Sequence, residues 1–179
     1  MEETKENPMN QQIKYLFSYG SNNSQQIATR INQREPIIYT NAYVFNYTRI
    51  FAGTSKKWKG GIVGLYPCKN KKTYGIITQL KEEDLLKLDS FEKGYKRITM
   101  MVHNQLADTL TEVIQAEVYW KENIDFEYLP SNEYLSSIYK MLSERSGNHK
   151  DNIIIRGIIN KRLKEIAIWK PKYGVKMKL

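Results

Sequence analysis

Two short runs in the chain hold residues whose types and spacing could do chemistry. The first is LDSFEKGYKR, Leu88 to Arg97, with a carboxyl group at Glu92. The acidic start of KEEDLLKLDSFEKG, the recurrence of Leu85, Leu88 and Phe91, and Gly94 at a capping position predict a helix whose last turn carries Glu92. A carboxylate there meets the negative end of the helix, and Asp89 adds a like charge one turn earlier. Both effects raise a carboxyl pKa toward the range that general acid and base catalysis uses. Phe91 and Tyr95 supply apolar and aromatic surface beside it. The same run also offers Lys93 and Lys96, which can neutralise Glu92 as an ordinary salt bridge, so the residues alone leave two readings open.

The second run is Tyr19-Gly20-Ser21-Asn22-Asn23, directly after a predicted strand over Lys14 to Tyr19. Gly20 permits a backbone geometry that a side chain would hinder, and successive amide N–H groups in such a turn can converge on an anion. Ser21 and Asn22 add short donors and acceptors. A plain turn with a capping Ser or Asn is the alternative. A nucleotide loop is excluded by motif, since neither GxGxxG nor GxxxxGK[ST] occurs. Cys68 is the single cysteine, which excludes an intramolecular disulfide and a multi-cysteine metal site. His103 and His149 are too few to build a histidine-rich centre, and nothing in the residues requires a metal.

The elements that must position these runs are mostly strands. A short helix capped by Ser24 is predicted to about Gln33, followed by one long or two successive strands from Pro36 to Phe51. GTSKKWKGG is a turn-rich loop. GIVGLYP and Thr73 to Leu80 are read as a hairpin connected at Asn70 to Lys72. Strands follow the Glu92 helix at YKRITMMV and EVIQAEVYW, and Ser131 caps a helix to about Arg145 that places Leu135, Ile138 and Leu142 on one side. The expected fold class is α+β: a small mixed, mostly antiparallel β-barrel with flanking short helices.

The 179 residues suit one domain, with 41% apolar and 26% charged residues in a globular balance. The organisation expected is a flexible lead over 1–12, a single domain over 13–169 and a basic tail over 170–179. No run of apolar residues is long enough to span a bilayer and the start has no signal-peptide pattern, so the expected location is the cytoplasm, away from membranes. The net charge of +9 comes from the C-terminal quarter, with Lys161, Arg162, Lys164, Lys170, Lys172, Lys176 and Lys178 in close succession. That surface suits nucleic acid or an acidic protein, although a plain charged face needs no partner.

Taken together, FSYGSNN, SKKWKGGIVGLYP, TYGIITQL, LDSFEKGYKR and PSNEY resemble the γ-glutamylcyclotransferases, in the family's order and approximate spacing across 14–147. The resemblance implies a small mixed β-barrel with flanking helices. It also implies a cofactor-independent enzyme, of acyltransferase or amidine-lyase type, that cyclises a γ-glutamyl group to 5-oxoproline and releases an amine. It assigns Glu92 as the catalytic carboxylate. It places Tyr19, Gly20, Ser21, Asn22 and Asn23, with Tyr95 and Tyr134, around the substrate. The YGSNN spelling and the WKGG loop are closer to the branch acting on γ-glutamyl dipeptides than to those acting on glutathione or γ-glutamyl-ε-lysine. A homodimer is compatible with the family. A non-catalytic protein that keeps the pocket and binds through its basic C-terminus is the reading from another class. Asn23, Lys93 and the C-terminal extension depart from the family pattern.

Overall fold

A computed structural model describes residues 12–107, 109–122, 124, 126–128, 130–144 and 176–177. The basic C-terminal region, apart from a two-residue strand, lies outside the described residues. In chain order the elements are β1 (Ile13–Ser18), α1 (Ser24–Arg30), β2 (Tyr39–Ser55), β3 (Gly60–Lys81), α2 (Glu82–Asp89), β4 (Lys96–Gln105), β5 (Thr111–Trp120), β6 (Phe126–Glu127), α3 (Asn132–Glu144) and β7 (Lys176–Met177). No helix among the described residues is long and apolar enough to cross a membrane.

The α+β reading holds, but the expected barrel is corrected. The strands form one seven-stranded mixed sheet in the order β3-β1-β5-β4-β2-β6-β7, with an additional β3–β2 pairing. A barrel has no edge strand. Here β7 pairs only with β6 among the described residues. The cause lies in β2 and β3, strands of 17 and 22 residues, which take different neighbours along their length. β3 follows β2 from Gly60 to Thr78 but meets β1 only over Ile76–Lys81, while β2 meets β4 at Asn41–Tyr43 and β6 at Ala52. The connections β1–β5 and β6–β7 are parallel and the rest antiparallel.

The hairpin expected at Asn70 to Lys72 is also corrected. Both halves of β3 pair with β2, and the register jumps from Phe45↔Lys72 to Tyr47↔Pro67. Asn46 and Asn70 take positive φ of 65° and 62°, a conformation asparagine tolerates, and the Asn70 amide donates to Asn46 Oδ1 at 2.9 Å. The residues between Pro67 and Lys72 therefore bulge out of a continuing strand instead of reversing the chain.

Two apolar clusters flank the sheet. One gathers Phe17, Val44, Phe51, Leu65, Ile76 and Val118 with Tyr134, Leu135, Ile138, Met141 and Leu142 from α3. These α3 residues recur at the spacing of an amphipathic helix face, and its first turn is fixed by Ser131, whose Oγ accepts from the Tyr134 amide at 3.1 Å. The other cluster packs Ile27, Ala28 and Ile31 of the α1 segment against Leu85 and Leu88 of α2. Tyr95 packs against both clusters, so the turn after α2 lies at the seam between them.

Candidate active site

The turn after β1 begins where Ser18, the last strand residue, pairs with Ile76. Gly20 is required here by space: a Cβ at this position would lie 2.7 Å from Val63 Cγ1. Asn23 ends the turn by accepting from the Gln26 amide at 2.9 Å, so Asn23 and not Ser24 is the N-cap of α1. The helix runs seven residues, and its last residue is Arg30.

α2 ends at Asp89, three residues before Glu92. Glu92 therefore stands outside the helix, in a turn closed by the Tyr95 amide donating to the Glu92 carbonyl at 3.0 Å and by Gly94 at φ 84°. Asp89 does not face it; its carboxylate accepts from the Tyr119 hydroxyl at 2.9 Å and pairs with Arg97 Nε at 3.1 Å. Nor do the neighbouring lysines account for its pairing: Lys96 pairs with Glu122 at 3.6 Å. The partners of Glu92 come from the YGSN turn and from the end of α1. Its Oε1 accepts from Asn22 Nδ2 at 2.9 Å and from Arg30 Nη1 at 2.6 Å.

Arg30 is the residue that the motifs did not reveal. Its Nη1 also donates to Asn22 Oδ1 at 2.8 Å, and its guanidinium lies 5.1 Å from the centroid of the Phe91 ring. With its amide oriented to satisfy both ends, Gln26 donates to the Ser21 carbonyl at 3.0 Å and accepts from Arg30 Nη2 at 2.7 Å. Gln26 and Arg30 are one helical turn apart on α1, four residues after Asn22 and four more. That spacing, beside a capped turn, was the available signal.

Glu92, Tyr19, Gly20, Ser21, Asn22, Tyr95 and Tyr134 line one cleft, joined by Phe17, Ser18, Val63 and Tyr119. The cleft holds about 350 Å³ of empty space, part of it open to solvent. Asn23 stays out of the lining, its side chain spent on the helix cap. His103 is stacked on Tyr43, on another part of the sheet. Cys68 lies in the β3 bulge, and His149 falls outside the described residues.

The phenols are tied to the frame. Tyr19 donates to the Tyr119 carbonyl at 2.6 Å, Tyr95 donates to the Val63 carbonyl, and Tyr134 accepts from the Val63 amide at 3.1 Å. Burial pushes the pKa values of Tyr19, Tyr95, Tyr119 and Tyr134 above the ordinary phenol range. They remain protonated at neutral pH and serve as walls and hydrogen-bonding groups, not as bases. Trp58 of the β2–β3 turn covers Tyr134 with ring centroids 4.9 Å apart. The cleft thus presents one carboxyl group, an amide-rich turn and an aromatic wall. Such a set can accept a proton and return it at one carboxyl group.

The family model described as "Gamma-glutamyl cyclotransferase, AIG2-like" matches residues 16–137, more than half of the chain. The chain belongs to this family. No curated protein matches the sequence. Among solved structures, one described as "Gamma-glutamyl cyclotransferase" is similar at TM-score 0.66 and 20% identity, covering 93% of this chain and 94% of its own. The uncharacterized protein loc79017 from Homo sapiens is similar at TM-score 0.67 and 22% identity, with the same coverages of 93% and 94%. A yeast γ-glutamyl cyclotransferase described as specific to glutathione shares the fold at TM-score 0.54 and 12% identity, over 89% of this chain and 97% of that one. At these identities the likeness to the solved structures is one of fold.

Proposed function

We propose that this member of the γ-glutamyl cyclotransferase family converts a γ-glutamyl amino acid or dipeptide to 5-oxoproline and a free amino acid, with Glu92 as general base and acid. One observation carries the reading: the Glu92 carboxylate faces Asn22 of the YGSN turn at 2.9 Å in a single cleft. In the reaction the substrate's α-amine attacks its own γ-carbonyl carbon. A C–N bond closes the five-membered ring, and the original amide C–N bond breaks. Glu92 takes a proton from the attacking nitrogen and returns it to the departing one, so no external reductant or oxidant enters.

Because the nucleophile is intramolecular, the main task of the cleft is to hold the glutamyl chain folded. The amides of the YGSN turn are candidates to receive its α-carboxylate or the carbonyl oxygen as it gains charge. The test is to incubate the protein with γ-glutamyl amino acids, glutathione and γ-glutamyl-ε-lysine and to follow 5-oxoproline by mass spectrometry. Turnover of the γ-glutamyl amino acids in preference to the other two is expected. Absence of 5-oxoproline from every substrate contradicts the reading.

A further inference from the structure

Arg49 lies on β2, where it pairs with Leu65, and is half-buried behind the cleft without lining it. Its guanidinium holds two backbone carbonyls. Nε donates to the Tyr19 carbonyl at 2.8 Å, and Nη2 donates to the Tyr74 carbonyl. β1 and β3 pair in register as far as Ser18↔Ile76. Two residues further on, Gly20 would stand opposite Tyr74, where a continuing ladder would draw the turn onto β3. Arg49 takes that carbonyl instead and clamps the start of the YGSN turn through side-chain donors.

The consequence for the turn follows from the peptide plane. The Tyr19 carbonyl and the Gly20 N–H belong to one planar trans peptide and point in opposite directions. With the carbonyl turned toward Arg49, the N–H is turned away from it. Gly20 lines the cleft and Arg49 does not, so that direction leads into the cleft. No acceptor for this N–H occurs among the described residues, which include every residue from 12 to 107.

Gly20 also marks the dry end of the cleft. A Cβ on it would lie 3.7 Å from the Tyr134 hydroxyl, and Tyr19 and Tyr134 are 4% and 3% exposed. Burial dominates the raised pKa values of these two phenols, while the Arg49 charge pulls both downward, so a positive charge behind the turn is felt inside the cleft. A donor aimed at an oxygen that gains charge during the reaction is most effective in such a place. A carboxylate that arrives fully charged must first give up its water.

We propose that Arg49 is a positioning residue: by holding the Tyr19 carbonyl it aims the Gly20 N–H at the γ-carbonyl oxygen of the substrate. As the α-amine forms the new C–N bond, the carbonyl π pair moves onto that oxygen. It returns when the original amide C–N bond breaks and the leaving nitrogen takes its proton from Glu92. This rests on the cyclotransferase reading above.

The experiment measures kcat and KM for γ-glutamyl-alanine in wild type, Arg49→Met and Arg49→Lys, well below their melting temperatures, and follows the Gly20 amide resonance by NMR. Arg49→Met is expected to lower kcat by roughly 10- to 100-fold, the scale of a misaimed oxyanion donor, with KM within about twofold of wild type. Its Gly20 resonance moves. Arg49→Lys, which keeps a charged donor within reach of the Tyr19 carbonyl, recovers part of kcat and of the resonance position. A raised KM at unchanged kcat, or no change in either, overturns the assignment. So does a loss of kcat that Arg49→Lys does not recover while the Gly20 resonance stays in place, which marks a structural residue only. Those results leave the cyclotransferase reading standing, whereas absence of 5-oxoproline with wild type overturns the two together.

Discussion

Arg30 and Glu92 lie 62 residues apart in sequence, yet their contact at 2.6 Å is among the closest side-chain pairs in the described structure. Glu92, the YGSN turn, Tyr95 and Tyr134 were legible because their order and spacing follow a family pattern. Arg30 was not, because its role depends on α1 ending where Phe91 can stack beneath the guanidinium. The environment first inferred for Glu92 differs for a similar reason: a helix ending at Asp89 leaves Glu92 beyond the dipole, and Asp89 turns to Tyr119 and Arg97. Arg30→Met leaves Asn22 as the remaining donor to a carboxylate that is only 14% exposed. Its expected cost is about 1 to 3 kcal/mol in urea denaturation, between the values for exposed and buried pairs. If the guanidinium fixes the carboxylate in place, kcat also falls by roughly 10- to 100-fold. An unchanged kcat would make Arg30 a structural residue only.

At the level of elements, the site depends on how closely β1 lies against β3. Gly75 is the tightest point: a Cβ there would lie 2.1 Å from the Ser18 carbonyl oxygen and 2.7 Å from the Phe17 ring. Backbone cannot yield as a side-chain tip can, so Gly75→Ala must push the strands apart just before the YGSN turn. The expected loss is about 3 kcal/mol or more, the range for severe overpacking, and a melting temperature within a degree of wild type would contradict it. The strand runs and α3 were readable from alternation and periodicity, including the Leu135, Ile138 and Leu142 face. The continuity of β3 was not. Pro67, Asn70 and two lysines have the composition of a turn, and only the pairing of both halves with β2 shows that they form a bulge.

Across the whole molecule, helix α2 is anchored to the sheet by a charge network. Glu82 accepts from Arg97 Nη2 at 2.6 Å and pairs with Lys14 Nζ at 2.8 Å. The hydrogen bond from Arg97, helped by Lys14, lowers the Glu82 pKa from 4.5 to about 2. A pKa depressed by folding adds stability that is complete above the unfolded value and is lost as pH falls through the folded one. Glu82→Gln should therefore lower stability at neutral pH by about 1 to 2 kcal/mol, allowing for partial solvent screening. The difference from wild type should shrink between pH 4.5 and about 2. A difference that stays constant through that window in denaturation curves would contradict the assignment. At this scale the α+β class was legible from the mixture of strand and helix patterns. The sheet's open edge was not, since it depends on which long-range partners β2, β6 and β7 take.

The central claim is that the Glu92 carboxyl group carries the proton between two nitrogens, and the most direct measurement is kcat for 5-oxoproline formation by Glu92→Gln against wild type. Glutamine keeps the shape and can still accept from Asn22 and Arg30, but it cannot shuttle the proton. The account predicts a fall in kcat of roughly 100- to 10,000-fold, the range for losing a general acid–base group, with a cooperative thermal transition retained. Turnover undiminished in the folded variant would contradict it.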